Sequence, residues 1–176
     1  LFSSHTAFPG WYMHDTTDIL RDYLAAWRGI DVDIDAIYSG FLGAPEQVDI
    51  IRRLYETYPN ALRAVDPVMA DHGKVYPSYA PELCDAMAEL ACGADVLTPN
   101  LTEAAIILGE PIGEEWGGTD IPDEEAHRLV RALLDNARSM YDYVLIDSPA
   151  GLGPGFRLAI CGADRVIVVA TNDTSS

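Results

Sequence analysis

Leu62-Arg63-Ala64-Val65-Asp66-Pro67-Val68-Met69-Ala70-Asp71-His72-Gly73-Lys74 decides how this chain is read. A short β-rich run over 62–66 reads as a strand that delivers the Asp66 carboxylate to its C-terminal end, and a second carboxylate, Asp71, follows in a loop. Ligands of open α/β sheets bind at that edge. Two hard oxygen donors there can hold Mg²⁺ on a nucleotide, or a monovalent cation beside it. The same letters also fit a plainer account, in which Asp66 caps a turn before proline and Asp71 is solvated.

Farther along, Asp95-Val96-Leu97-Thr98-Pro99-Asn100-Leu101-Thr102-Glu103 repeats the arrangement. A strand over 95–98 runs into a helix whose first turn carries an amide and a carboxylate on one face. Asn100 can orient a metal-bound water or a phosphate and Glu103 can act through Mg²⁺, with the helix N-terminus favouring the anion. The spacing is equally that of a capping box. Two such elements on consecutive strand ends carry more than either alone.

Outward from these, short β-rich runs alternate with longer amphipathic ones, the pattern of a mostly parallel sheet with helices on both faces. The expected fold is a three-layer α/β/α domain, truncated at both ends. Strands are expected over 36–39, 62–66, 95–98, 143–147 and 165–170, all with their C-terminal ends on one edge because βαβ crossovers are right-handed. The spacing predicts helices over 17–27, with Ile19, Leu20, Tyr23, Leu24 and Trp27 on one stripe, and over 46–58, with Val48, Ile51, Leu54, Tyr55 and Tyr58 on another. Pro81 opens a third, over 81–91. Asn100 caps a fourth that ends near Gly109, and a fifth spans 123–138. Cys-Gly-Ala-Asp occurs at 92–95 and again at 161–164, so Gly93 and Gly162 are both expected to stop helices in left-handed conformation.

Composition narrows the function. Eleven basic against twenty-eight acidic residues give a net charge of −17, which repels nucleic acid and anionic lipid alike. Lys74 is the only lysine, so a bound phosphate must rely on backbone N–H groups, a few arginines or a metal ion. No apolar run is long enough to span a membrane and the start lacks the pattern of a signal peptide, so the expected location is cytoplasmic. Three cysteines and four histidines show no zinc spacing.

Four ordered motifs carry a family resemblance: Ser4-His5-Thr6-Ala7-Phe8, Ser39-Gly40-Phe41-Leu42-Gly43, Asp66 through Tyr76, and Thr98-Pro99-Asn100-Leu101-Thr102-Glu103-Ala104. Over about residues 1–112 the chain resembles the pyridoxal kinases of the ribokinase-like superfamily. That resemblance implies a substrate pocket lined by Thr6 and Ala7, with Phe41 packing near the ring and Tyr76 on a loop that closes over the site. It implies that Asp66, Asp71, Thr98, Asn100 and Glu103 serve the Mg-ATP phosphates and cations, with Asp71 and Glu103 nearest the metal. The implied reaction is phosphoryl transfer from ATP to the 5′-hydroxyl of a B6 vitamer, and the implied assembly is a homodimer.

Such kinases finish with a Gly-x-Gly-Asp turn whose Asp takes the hydroxyl proton, and those letters occur nowhere in the chain. No catalytic base is therefore assigned, and slow turnover is expected. Residues 113–124, rich in glycine and acid, read as a loop or join. Over about 125–176, with Tyr141 through Gly151 and Gly162-Ala163-Asp164, the chain resembles MinD-like deviant P-loop ATPases, although their lysine-bearing phosphate loop is missing. That segment is expected to continue the same sheet. The alternatives to a B6 kinase are thus an ATPase fragment and a catalytically silent α/β binding module.

Overall fold

The computed structural model describes residues 1–4, 8–27, 29–30, 32–112, 123–148 and 153–168. The chain divides into two compact units, Leu1–Gly117 and Gly118–Ser176.

In the first unit, α1 (Thr17–Trp27), β1 (Ala36–Ser39), α2 (Pro45–Thr57), β2 (Leu62–Val65), β3 (Ala70–Asp71), β4 (Lys74–Val75), α3 (Pro81–Cys92), β5 (Val96–Leu97) and α4 (Leu101–Leu108) follow in order. The strands β1, β2 and β5 form a parallel sheet in that order, with Ser39 opposite Val65 and Val65 opposite Leu97. The expected α/β class and strand polarity are both present. Pro45 and Pro81 open α2 and α3 where a missing N–H costs nothing.

Helix burial sets the core. Val48, Ile51 and Tyr55 of α2 and Leu83, Met87, Leu90 and Ala91 of α3 pack with Ile37 and Val65 from alternate positions of the strands. The opposite face of the sheet, with Tyr38, Leu62 and Val96, is exposed. Apolar residues at both phases of a strand were expected to mean burial on both faces. Among the described residues the first unit's helices cover one face. Likewise α1 forms over the expected residues, yet none is buried, and Ile19, Tyr23 and Trp27 of its stripe stand exposed.

The strands β3 and β4 pair antiparallel across His72 and Gly73, with φ of 50° and 72°. Two successive residues of positive φ make the tight hairpin turn that matches strand twist. The sequence reading had this segment as a plain loop.

Neither repeated glycine is left-handed: Gly93 has φ −98° and Gly162 φ −117°. Both lie where any residue can sit, so helix-stop letters did not dictate handedness. At Gly162 the need is steric instead, since a Cβ there would collide with Leu134. Gly109, at φ 70°, is the left-handed cap. Gly109→Ala is expected to destabilise the first unit by about 1–2 kcal/mol, the cost of a Cβ in that conformation. An unchanged denaturant midpoint would contradict this.

The second unit contains α5 (Asp123–Met140) and α6 (Pro154–Cys161), linked through Arg138, which donates to the Gly162 carbonyl at 2.7 Å and pairs with Asp164 at 3.3 Å. The expected strands over 143–147 and 165–170 are not formed at their described residues, and Val169 and Ala170 lie outside these. Tyr143, Leu145, Ile167 and Val168 are each at least 80% exposed. β-rich letters alone do not make a strand, which also needs a neighbour to pair with, and these segments lack one among the described residues.

Candidate functional site

The parallel strands deliver their C-terminal ends to one edge, where the chain leaves β1 as Ser39-Gly40-Phe41, β2 as Asp66-Pro67 and β5 as Thr98-Pro99-Asn100. Backbone bonds bind these exits: the Asp66 N–H donates to the Ser39 carbonyl at 2.8 Å and the Thr98 N–H to the Val65 carbonyl at 3.1 Å. Thr98 is exposed and Asp66 half-buried.

Asn100 and Glu103 form the capping box that their spacing allows. The Asn100 Oδ1 accepts from the Glu103 N–H at 3.0 Å and the Glu103 Oε2 from the Asn100 N–H at 2.9 Å. Both side chains also reach the β3–β4 hairpin. Glu103 Oε1 accepts from the Met69 N–H at 3.2 Å, and the Asn100 amide donates to the Ala70 carbonyl at 2.8 Å. Thr102 Oγ1 accepts from the Gly73 N–H at 3.0 Å. The first turn of α4 and the base of the hairpin are therefore one bonded unit.

Burial pushes the Glu103 carboxyl above its ordinary pKa; the N–H groups of Asn100, Met69 and Ala70 oppose that rise, and the nearby Asp66 charge adds to it. Tyr76 is half-buried, and its phenol is raised first by burial and then by the carboxylates of Asp71, Glu103 and Asp66. Three of the carboxylates singled out in the sequence therefore act on one point. Asp71 is exposed, its Oδ1 accepting from the His72 N–H at 2.8 Å.

Phe41 joins a run of aromatic rings. Its centroid lies 5.2 Å from Phe2 and 5.6 Å from Tyr79, both edge-on, and Phe2 lies 5.8 Å from Trp11. The Tyr79 N–H donates to the Tyr76 carbonyl at 2.9 Å, so the aromatic and carboxylate sides abut. Thr6 and Ala7 lie outside the described residues.

Four contributors were missed in the sequence reading: Phe2, Tyr79, Gln47 and Tyr38. The Tyr38 hydroxyl donates to Asp66 Oδ2 at 3.0 Å, and that bond is the main reason its phenol is raised. The alternation of β1 puts Tyr38 and Ser39 on opposite faces, but no local signal names Asp66 as its partner.

The donor set suits a metal ion that arrives on a nucleotide. Among the described residues no three His, Cys, Asp or Glu side chains gather to hold a metal by themselves. Glu103 is 3% exposed and its oxygens accept from the Met69 and Asn100 N–H groups, while Asp71 is exposed and Asp66 half-buried. One or two carboxylates, with phosphate oxygens and waters completing the octahedron, is how Mg²⁺ is commonly held.

A parallel sheet with carboxylates at its strand ends and a capped helix N-terminus beside them is the arrangement in which open α/β proteins bind ligands. Comparison with known proteins makes this specific. The phosphomethylpyrimidine kinase family matches residues 14–142, and the chain belongs to that family. Pyridoxal kinase PdxY of Haemophilus influenzae (strain PittEE) is 37% identical over 119 residues, covering 63% of this chain and 41% of the relative. PdxY of Pasteurella multocida (strain Pm70) is 35% identical over 147 residues, covering 76% and 46%. A Bacteroides thetaiotaomicron structure of the phosphomethylpyrimidine kinase type, crystallised with pyridoxal, is 38% identical with a TM-score of 0.62, covering 76% of this chain and 46% of that one. Pyridoxal kinase from Lactobacillus plantarum is 28% identical with a TM-score of 0.60. The chain thus spans under half the length of these relatives.

The family match crosses the expected join at 113–124 and takes in α5. The MinD-like reading of 125–176 is not supported. Its leading signal, a strand ending at Asp147, is absent too: that residue sits exposed in a segment outside any ladder.

Proposed function

We propose that this chain supplies the substrate and Mg-nucleotide surface of a B6-vitamer kinase, for transfer of a phosphoryl group from ATP to the 5′-hydroxyl of pyridoxal. The observation that carries the reading is the meeting of two unlike surfaces at Tyr76 and Tyr79: edge-on aromatic rings on one side and carboxylates on the other. A flat heteroaromatic substrate suits the first and a metal-borne polyphosphate the second. The pyridoxal kinases among the relatives support it.

In this reading Thr6, Ala7 and Phe41 line the ring side and Tyr76 closes over it. Asp66 and Asp71 face the nucleotide cations, while Thr98 and the N-terminus of α4 take phosphate oxygens. Glu103 acts from behind, by holding Asn100 and the hairpin rather than by offering a free oxygen. When bound, Mg²⁺ offsets the phosphate charge that the acidic chain cannot offset with lysine. Among the described residues no helix is long and apolar enough to cross a membrane. A cytoplasmic homodimer is part of the proposal.

Calorimetric titration with pyridoxal, with a phosphomethylpyrimidine as the comparison ring, and with Mg·ATP tests it. Phe41→Ala should weaken pyridoxal about tenfold, as expected for losing an aromatic contact together with part of its buried area, and leave Mg·ATP within a factor of two. Asp66→Ala should do the converse. Preference for the pyrimidine would redirect the substrate. Absence of binding to either ring and to Mg·ATP would favour a silent module.

A further inference from the structure

Gln47 lies in the first turn of α2, 7% exposed, and none of the motifs above includes it. Its side-chain oxygen accepts from the Gly43 N–H at 2.9 Å. Its amide nitrogen donates to Asp15 Oδ1 at 3.2 Å and to Thr17 Oγ1 at 3.1 Å. The two ends of the amide have opposite needs, an N–H on one side and oxygens on the other, so its orientation is fixed by its partners.

Two of these partners, Gly43 and Asp15, lead to the two walls of the aromatic run, and Thr17 opens α1. Gly43 ends the loop that carries Phe41, and a Cβ at Gly43 would lie 3.6 Å from the Phe41 ring. Asp15 directly follows the N-terminal hairpin, where Phe2 bridges to Met13 and the His14 N–H donates to the Leu1 carbonyl at 2.8 Å. That hairpin carries Phe2 and Trp11. One buried amide thus ties both walls to the rigid start of α2.

We infer that Gln47 is a positioning residue for the ring side of the site, setting the spacing of Phe41 and Phe2 without touching the ligand. This rests on the reading of that aromatic run as the B6 side. A buried amide is a good spacer because each of its bonds is directional and a misplaced one leaves a buried polar group unpaired. Phe41 and Phe2 sit on loop and hairpin rather than on a helix or long strand, so their spacing depends on such a tie.

The test compares pyridoxal and Mg·ATP titrations of the wild-type chain with those of Gln47→Met, which keeps length and volume but donates and accepts nothing. The expected result is a loss of at least about tenfold in pyridoxal affinity, as for a hydrogen-bonded network opened on both sides, with Mg·ATP affinity within twofold. Gln47→Asn keeps the amide but falls a methylene short of its partners, and should give the same split if the methionine variant does not fold. Pyridoxal affinity within twofold of wild type in either variant overturns the inference. So does an equal fall for both ligands, which marks a general packing defect. A wild-type chain that binds no pyridoxal instead retires the functional reading, and the positioning role with it.

Discussion

Glu103→Ala is expected to destabilise the first unit by about 2–4 kcal/mol and to abolish measurable Mg·ATP binding. The change removes the reciprocal half of the capping box, a loss of roughly 1 kcal/mol for a cap of this kind. It also strands the Met69 N–H, which Glu103 Oε1 accepts at a site with 3% exposure, and an unpaired buried donor costs roughly 1–3 kcal/mol. The nucleotide effect follows because the same carboxylate holds the base of the hairpin that carries Asp71.

Glu103→Gln should lose less, since one oxygen remains to accept. It should also change the pH profile in a defined direction. Burial raises the folded-state pKa above the ordinary 4.5, so the folded state holds this proton more tightly than the unfolded one. The linked stability is complete below pH 4.5 and is lost as pH rises through the folded value. The glutamine variant lacks that slope. Urea midpoints measured across pH 4 to 7 check both expectations; a parallel pH profile in the two proteins would mean that Glu103 is solvated.

Removing Mg²⁺ should weaken ATP binding by at least about tenfold. Two unit charges about 6 Å apart repel by roughly 3 kcal/mol at an effective dielectric of about 20. The exposure of Asp71, the partial exposure of Asp66 and ordinary salt cut that to roughly half, near the 1.4 kcal/mol of a tenfold change. The background charge of −17 acts in the same direction, and Lys74 is the one lysine available to oppose it. The double variant Asp66→Asn, Asp71→Asn should bind metal-free ATP better than the wild type does, and so lose most of the preference. Equal wild-type affinity in excess EDTA would sink the assignment of these two carboxylates to the cation side.

How legible the molecule was depended on range. The capping box at Asn100 and Glu103 was readable because its partners lie three residues apart on one helical turn. Strand polarity was readable because a helix between two strands leaves only a right-handed crossover, and Val65 duly pairs in parallel with Leu97. The bonds that give the site its shape span far more sequence: Tyr38 to Asp66 over 28 residues, Gly73 to Thr102 over 29 and Gln47 to Asp15 over 32. Their donors and acceptors are ordinary letters until the crossovers bring the strand ends together.

Sequence alone therefore determined the α/β class and the kinase resemblance of the longer segment, though not the assignment of 125–176, since periodicity and ordered motifs are local properties of the chain. Tertiary structure decided which of two apolar faces is covered, leaving Tyr38, Leu62 and Val96 exposed on the other. It decided that the β-rich run at 143–147 would join no ladder among the described residues. It also gave Glu103 the Met69 N–H as a partner beside that of Asn100, which ties α4 to the hairpin. Apolar or polar character says only what a side chain can pair with, and burial and hydrogen bonding depend on the partner that the fold delivers.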